Sequence, residues 1–348
     1  MQCKVITSTL DLAHDAWLSE RDKGIGGSDA GIIMGVSPYK SRFGLYAEKV
    51  GTIVNDFQGN EATEWGHALE RPVAERYAAT TQNAVVAYPA MLQHGLHDCL
   101  LANVDFFIVE PSEAFPAGVV TDVVPVKDEA TGEWNLPHAI AILEIKTSGI
   151  VGHGNARQWE GDGVPAGYVW QGAHYALVTG VHHVVYAALI GGHGLQIRDR
   201  VFTGSILENL MREELAFWDS VEGRAPAPDP TGADSDFDAL KSLYPVSEAE
   251  VVEATAEVAE ALGKYRRIKA QVTELESALK EHRATVEAHL GSADTLVDAA
   301  GNVMATFKSN KETATVDTKR LLAEHPELAD EYKTTRAGAR VLRVKDNA

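Results

Sequence analysis

Apolar and polar residues recur along the chain with two periods, one of about 3.6 residues and one of about 2, which predict helices and strands respectively. The first period predicts helices over residues 10–23, 28–34, 43–49, 60–80, 165–179 and 205–221. Apolar runs bounded by turn residues predict strands over residues 85–92, 100–109, 139–147, 184–190 and 196–202. Helices and strands in this order indicate an α/β (α+β) domain.

The strand predicted at residues 139–147 ends by placing two opposite charges on one face. Its first five residues are apolar, which is typical of a strand covered on both sides. Glu144 and Lys146 are two positions apart, so their side chains point the same way, and burying them is costly without a compensating partner. A divalent cation on Glu144, with Lys146 orienting or deprotonating a water molecule, would compensate them. A surface ion pair is the more ordinary explanation of so short a pattern.

Two further carboxylates lie where apolar residues are expected. Asp105 stands inside the apolar run of residues 100–109, where an unpaired carboxylate would cost several kcal/mol. Lys146, or a metal ion held together with Glu144, would neutralise it. Glu70 borders the apolar face of the helix at residues 60–80, so it is either a solvated residue at the edge of that face or an inward-pointing ligand.

A glycine-rich loop precedes the helix at residues 28–34. The run Gly24-Ile25-Gly26-Gly27 leads to Ser28 and Asp29, either of which can cap the helix. A helix N-terminus after such a loop is a natural anion site, and Arg21 would supply a cation. The glycines do not follow the dinucleotide-binding spacing and no strand precedes them, so the loop suits a single phosphate group better than a dinucleotide.

Breaker residues near position 230 divide the chain. Prolines and glycine there predict a linker at residues 226–246 between a first domain, residues 1–225, and a C-terminal part, residues 247–348. In the C-terminal part apolar residues recur every seven positions, in one column from Val251 to Val286 and in a second from Ala254 to Leu275. This pattern predicts a helix of about 44 residues, or about 66 Å, that pairs with a copy of itself or folds back on a neighbour.

Composition limits the class of protein. With 348 residues, 45% of them hydrophobic, the chain can bury a full core. No apolar run approaches the roughly 20 residues that span a bilayer, and residues 1–12 lack the pattern of a signal peptide. We therefore expect a cytoplasmic protein with no membrane partner. Cys3 and Cys99 are too few for a disulfide framework and are expected to be reduced thiols.

The net charge of −19 argues against a nucleic-acid partner, because affinity for DNA comes from Lys and Arg contacts to phosphates. The acidity is concentrated in the first 246 residues, where 32 Asp and Glu stand against 16 Lys and Arg. Residues 308–345 instead carry nine Lys and Arg against six Asp and Glu. This basic tail is expected either to grip duplex DNA or to dock on the acidic first domain; an assembly arm without DNA contact is the alternative.

The order of the candidate residues resembles the PD-(D/E)XK nuclease superfamily and, within it, the YqaJ-like viral recombinase family related to phage lambda exonuclease. The resemblance covers the chain from Trp17 to the vicinity of Gly192. It rests on Glu70 on a helix, Asp105 and Glu144-Ile145-Lys146 on strands, and Gln171 on the following helix. Its more specific motifs are Gly26-Gly27-Ser28-Asp29-Ala30, Trp65-Gly66-His67-Ala68-Leu69-Glu70, and Val164-Pro165-x-x-Tyr168-x-x-Gln171 followed by Thr179-Gly180.

The resemblance implies a restriction-endonuclease-like core, in which helices flank a central mixed sheet, followed here by a long C-terminal helical arm and a small tail. It implies that Asp105, Glu144 and the Ile145 carbonyl bind Mg²⁺, with Mn²⁺ as a substitute, and that Glu70 is a further metal ligand. Lys146 would act on the water, while Glu70 and Gln171 complete the catalytic site. The further implication is that Arg21 and Ser28 hold a 5′-terminal phosphate. One departure is Val104-Asp105-Phe106, where family members usually have Pro-Asp-Gly.

The activity implied by the resemblance is 5′→3′ exonuclease digestion of double-stranded DNA in phage-type homologous recombination, by two-metal phosphodiester hydrolysis. The implied partners are double-stranded DNA ends, a single-strand annealing protein, and further copies of the chain in a ring-like trimer. Two alternatives remain on the same core: a structure-specific DNA endonuclease, and a DNA-end-binding recombination factor with weakened catalysis.

Overall fold

The computed structural model describes residues 3–53, 60–149, 156–334, 338 and 340–345. The chain divides into two compact units, Met1–Tyr244 and Pro245–Ala348. Among the described residues, no helix combines the length and the apolar character that are needed to cross a membrane.

Most of the predicted helices and strands of the first unit are present, with shifted ends. The helices are α1 (His14–Arg21), α2 (Gly27–Ile33), α3 (Arg42–Lys49), α4 (Glu61–Thr81), α5 (Ala166–Thr179), α6 (Ser205–Val221) and α7 (Asp234–Leu243). The strands are β1 (Cys3–Ser8), β2 (Ala84–Ala87), β3 (Ala90–His94), β4 (Leu101–Ala102), β5 (Phe106–Val109), β6 (Val120–Asp122), β7 (Ala139–Ser148), β8 (His183–Ile190) and β9 (His193–Val201). A short 3-10 helix lies at Ala156–Trp159.

A six-stranded sheet in the order β6-β2-β5-β7-β8-β9 forms the centre of the first unit. β2 pairs in parallel with β6, and β7 pairs in parallel with β8, whereas the other neighbours are antiparallel. Helix α4 packs on one face of the sheet, while α5 and α6 pack on the other. This arrangement confirms the predicted fold class, an α/β (α+β) core whose central mixed sheet is flanked by helices.

Strand β7 is covered on both faces, as its apolar sequence predicts. Leu143 and Ile145 pack with the α4 layer, whereas Ile142 packs with the layer that contains α5 and α6. Because side chains alternate along a strand, Glu144 and Lys146 project from the same face as Ile142. Both charged side chains are therefore directed to the side of α5.

The long strands predicted at residues 85–92 and 100–109 are each two shorter strands. The first is β2 followed by β3, and the second is β4 followed by β5. β3 and β4 join β1 in a separate three-stranded antiparallel sheet, so the chain passes from one sheet to the other at both breaks. Asp105 consequently lies in the connection that precedes β5, and its predicted position inside a strand is wrong.

The predicted linker at residues 226–246 contains α7, which belongs to the first unit. Ala239 of α7 is buried against Phe43 and Ala47 of α3. The carboxylate of Asp236 accepts hydrogen bonds from the backbone N–H groups of three successive residues, Thr231, Gly232 and Ala233. These bonds hold the glycine-containing end of the breaker segment against the start of α7.

In the second unit, helix α8 (Ala256–Leu290) spans 35 residues. It is shorter than the helix of about 44 residues that the heptad pattern predicts. Thr255 is its N-cap, with Oγ1 accepting a hydrogen bond from the Val258 N–H, so the residues from Val251 onward that precede it are outside the helix. A hairpin of β10 (Thr295–Val297) and β11 (Val303–Thr306) follows, then the short helices α9 (Thr318–Glu324) and α10 (Pro326–Glu331).

Candidate active site

Asp105 and Glu144 are brought together by the pairing of β5 with β7. Phe106 is opposite Leu143, so Asp105, one residue before β5, lies next to Glu144. The Oδ2 atom of Asp105 accepts a hydrogen bond of 2.9 Å from the backbone N–H of Ile145. One strand pairing thus fixes two carboxylates that lie far apart in the sequence.

The Glu144 side chain is fully buried, and its two oxygens differ in their surroundings. Oε1 accepts a hydrogen bond of 2.6 Å from Lys146 Nζ. Oε2 has no hydrogen-bond partner within the described part of the chain. Burial, followed by the negative charge of Asp105, raises the pKa of Glu144 to about 8. The negative charge of the two carboxylates is therefore not fully neutralised by Lys146, although Lys146 is in contact with Glu144.

Lys146 is held in a charged state by the same two carboxylates. Burial alone would lower the pKa of Lys146, but the charges of Glu144 and Asp105 raise it above its usual value. Its Nζ also lies 4.8 Å from the ring centre of Tyr168 on α5, within the range of a cation–π contact. In the metal-free protein Lys146 is a charged hydrogen-bond donor to Glu144.

Glu70 approaches the pair from α4. Its side chain is 35% exposed, and Oε1 lies 3.0 Å from Nδ1 of His67. Burial and the charge of Asp105 raise the pKa of Glu70. Glu70 and Asp105 line the same cavity of about 320 Å³, together with Tyr88. Among the described residues, no three His, Cys, Asp or Glu side chains are already arranged to hold a metal ion.

Gln171 and Tyr175 lie one turn apart on α5. The Gln171 side-chain amide donates a hydrogen bond of 3.0 Å to the Tyr175 hydroxyl. Burial and then the charges of Glu144 and Asp105 raise the pKa of Tyr175. The ring touches α2, since a Cβ added to Gly27 would lie 2.4 Å from ring atom Cε1. Tyr175 therefore connects Gln171 to the start of α2.

Arg21 and Ser28 are in contact at the start of α2. The Arg21 guanidinium donates a hydrogen bond to Ser28 Oγ and lies 5.3 Å from the ring centre of Trp17. The carboxylate of Asp29 is 4.0 Å from Arg21 Nη2 and 3.1 Å from Lys49 Nζ. Burial would raise the pKa of Asp29, but Lys49 and Arg21 lower it, so it remains ionised. A guanidinium and a hydroxyl held beside the first backbone N–H groups of α2 suit a phosphate group.

The predicted site residues thus form two neighbouring groups. Asp105, the Glu144-Ile145-Lys146 run and Glu70 make up the first, and Arg21 and Ser28 make up the second, with Gln171 between them through Tyr175. Their catalytic and binding roles stay predictions. A divalent cation fits the first group, because the Oε2 atom of Glu144 is buried without a partner among the described residues and lies beside a second carboxylate. Carboxylate oxygens are also the ligands that Mg²⁺ and Mn²⁺ prefer.

Several polar residues around these groups were not predicted as site residues, namely His67, Tyr168, Tyr175 and Lys49.

A buried ion pair was also missed. The Nδ1 atom of His174 on α5 is 2.7 Å from the carboxylate of Glu214 on α6, and its Nε2 atom is 2.8 Å from the Leu101 carbonyl oxygen. Both partners are acceptors, so both ring nitrogens donate and the ring is charged. Burial would lower the pKa of His174, but Glu214 raises it. A polar residue inside the apolar run after Gly172 was the available signal.

Residues 16–182 match the family model described as the YqaJ-like viral recombinase domain. The protein named "Uncharacterized protein YqaJ" of Bacillus subtilis (strain 168) is 30% identical over 340 residues, which cover 95% of this chain and 94% of that protein. Crystal structures of an alkaline exonuclease (LHK-Exo) from Laribacter hongkongensis, one of them in complex with dAMP, align with a TM-score of 0.44 and 14% identity, over 60% of this chain and 93% of that one. Because the similarity to the Bacillus protein extends along nearly all of both chains, the resemblance based on motifs is confirmed, and the chain belongs to the YqaJ-like viral recombinase family.

Proposed function

We propose that the protein is a metal-dependent exonuclease that degrades double-stranded DNA from its 5′ ends in phage-type homologous recombination. One observation carries the proposal: the buried Glu144 carboxylate lies beside Asp105 and Lys146, with one oxygen left without a partner in the described part of the chain. Such a cluster is costly to bury unless a cation and an anionic substrate complete it. Membership of a recombinase family supports the proposed role in recombination.

Asp105, Glu144 and the Ile145 carbonyl would hold the cation, and Glu70, once released from His67, would serve a second ion. When bound, Mg²⁺, or Mn²⁺ in its place, supplies an activated water molecule and stabilises negative charge on the phosphoryl group. Lys146, which is charged, donates a hydrogen bond to the attacking water or to a phosphate oxygen and so offsets the developing charge.

Arg21 and Ser28 provide the preference for an end. A terminal phosphate carries more negative charge than an internal phosphodiester, so a guanidinium beside a helix N-terminus favours it. Tyr175 touches α2 and accepts a hydrogen bond from Gln171, and these contacts support a phosphate site next to the proposed hydrolytic site. A phosphate held there would position the first phosphodiester bond of the strand for hydrolysis.

A digestion of labelled linear and closed circular duplex DNA, with and without Mg²⁺, tests the proposal. We expect mononucleotides from the linear duplex only when Mg²⁺ is present, and no product from the circle. Cleavage of the circle would indicate the structure-specific endonuclease instead. Binding to ends without products in either Mg²⁺ or Mn²⁺ would indicate the end-binding factor. The variant Glu144→Gln serves as the control for contaminating nucleases.

A further inference from the structure

Helix α8 presents an apolar stripe that the described chain leaves exposed. We call this stripe the α8 seam; it consists of Val258, Ala261, Tyr265, Ile268, Val272, Leu275, Leu279 and Val286. Its large side chains have exposed fractions between 41% and 68%. His282 interrupts the second apolar column between Leu279 and Val286. Most helical stability in proteins comes from packing of an apolar face, and an exposed apolar stripe of this length marks an interaction site.

We propose that the α8 seam is covered by α8 of a second copy of the chain, in an antiparallel two-stranded coiled coil. The seam has the heptad spacing that packs side chains of one helix into holes on another. Its charged flanks select both the partner and the direction.

The core residues match when the two helices run in opposite directions about their common midpoint. In an antiparallel coiled coil the first apolar column of one helix faces the second column of the other. Placing Val272 opposite Leu275 of the second copy also places Ile268 opposite Leu279. The central layers are then all large aliphatic side chains. The two-fold axis falls between Thr273 and Glu274, at the centre of Ala256–Leu290, so the helices overlap along their whole length.

The flanking charges agree with this register. Lys269 faces Glu276 of the second copy, and by symmetry this pair occurs twice. A shift of one heptad in either direction places Lys269 opposite Lys269 or Glu276 opposite Glu276. A parallel pair with the same seam places Lys264 opposite Lys269. Lys269 also lies beside the seam, with Nζ 6.0 Å from the Tyr265 ring centre. Only the centred antiparallel register therefore avoids these like-charge contacts.

Light scattering and sedimentation equilibrium of the full-length chain test the seam. The variant Leu275→Asp should halve the mass of the wild-type assembly, because it puts two carboxylates into the central layers. The substitution lies at an exposed position, so thermal unfolding of the nuclease unit should be unchanged. A wild-type mass that the variant leaves unaltered, or lowers to a third as expected for a trimer through α8, would overturn the proposal.

Charge reversal tests the direction and the register. Lys269→Glu and Glu276→Lys should each raise the dissociation constant of this contact by about five- to thirtyfold, because two attractive pairs become repulsive. The double reversal in one chain should restore the wild-type value, and so should a mixture of the two single variants. A parallel coil gives the opposite result for Lys269→Glu, since the new carboxylate would then face Lys264 of the second copy. Tighter association of that variant, or a mixture no tighter than its components, would contradict the antiparallel register.

Discussion

The protein neutralises the negative charge of the buried Glu144 carboxylate only in part. Lys146 bonds one oxygen, and Asp105 adds a second negative charge, so the pKa of Glu144 rises to about 8. The raised pKa means that folding favours the protonated form of the metal-free protein. The stability contributed by this protonated form is complete below the ordinary pKa of 4.5 and is lost as the pH rises through about 8.

We predict that Glu144→Gln abolishes cleavage and makes the metal-free protein less sensitive to alkaline pH. The amide keeps the shape of the protonated acid and cannot ionise. In EDTA, the two proteins should have similar melting temperatures near pH 5, and the variant should melt higher near pH 9. Each kcal/mol corresponds to about 2–4 °C in a unit of this size.

The exposed residue Glu129 provides the matched control for this comparison. Glu129→Gln makes the same chemical change outside the site, so it should leave both the cleavage rate and the pH dependence as in wild type. Equal melting curves of Glu144→Gln and wild type at pH 9 would show that the ionised Glu144 carboxylate does not destabilise the folded protein.

Arg21→Ala should lower the preference for 5′-phosphorylated over 5′-hydroxyl duplex by about 10- to 100-fold, the range of a charge-assisted hydrogen bond. The measurement is the ratio of initial digestion rates on the two substrates. Arg76→Ala removes an exposed guanidinium from α4 and is the control. An equal loss of rate on both substrates would point to structural damage and would reject the phosphate role.

The sequence located the carboxylates better than it located their surroundings. The apolar run before Glu144 predicted a strand buried on both faces, which is what β7 is. Asp105 was placed inside a strand because local pattern does not show that β4 and β5 belong to different sheets. The contacts of Tyr175 with Gln171 and Gly27 depend on how α5 meets α2, which neither helix encodes alone.

At the scale of whole elements, α5 approaches β8 too closely for a side chain at Gly172. A Cβ there would lie 2.0 Å from the Tyr186 hydroxyl oxygen and 3.1 Å from Val184. The hydroxyl is buried and has no hydrogen-bond partner among the described residues. Glycine is therefore needed at this contact for space, although it costs helix stability.

Gly172→Ala should destabilise the protein by about 1–3 kcal/mol, the usual cost of overpacking a core. Adding Tyr186→Phe should recover part of this loss, because the atom nearest to the new methyl group is removed. Gly167→Ala, on the same helix, is the control; a Cβ there meets nothing within 4 Å, so it should be neutral or stabilise by up to about 1 kcal/mol. Chemical denaturation gives the free energy of unfolding of wild type and of the three variants. A Gly172→Ala protein as stable as wild type would mean that α5 can move away from the sheet.

The ends of helices were predicted with unequal success. The predicted and observed ends of α6 coincide. The start of α8 was missed, because the heptad columns begin at Val251 whereas the helix starts after its N-cap, Thr255. Helix α7 was not predicted, because its apolar residues lie among breaker residues and its packing on α3 is a long-range contact.

For the whole molecule, the distribution of charge gives a test of the basic tail. We predict that replacing Lys311, Lys319 and Lys333 by Gln weakens binding to duplex DNA and flattens its dependence on salt. Each phosphate contact that is lost should reduce the slope of log affinity against log salt by about 0.9. All three side chains are exposed, so the fold should be unaffected.

The control for the tail is a triple variant with the same change in net charge, Lys241→Gln, Arg267→Gln and Lys280→Gln. If both triple variants lower the slope equally, the tail has no specific contact with DNA. An unchanged slope in the tail variant would favour the assembly role of the C-terminal part over the DNA-gripping role.

The ion pair of His174 and Glu214 constrains how this protein can change over evolutionary time. Loss of one partner leaves a buried charge, at a cost of about 3–5 kcal/mol, out of a total stability of about 5–15 kcal/mol. Exchange of both partners for apolar residues of similar size is far less costly. Lineages should therefore inherit the two residues together or lose them together. A stable relative that keeps a buried Glu at the position of Glu214 opposite an apolar residue would contradict this expectation.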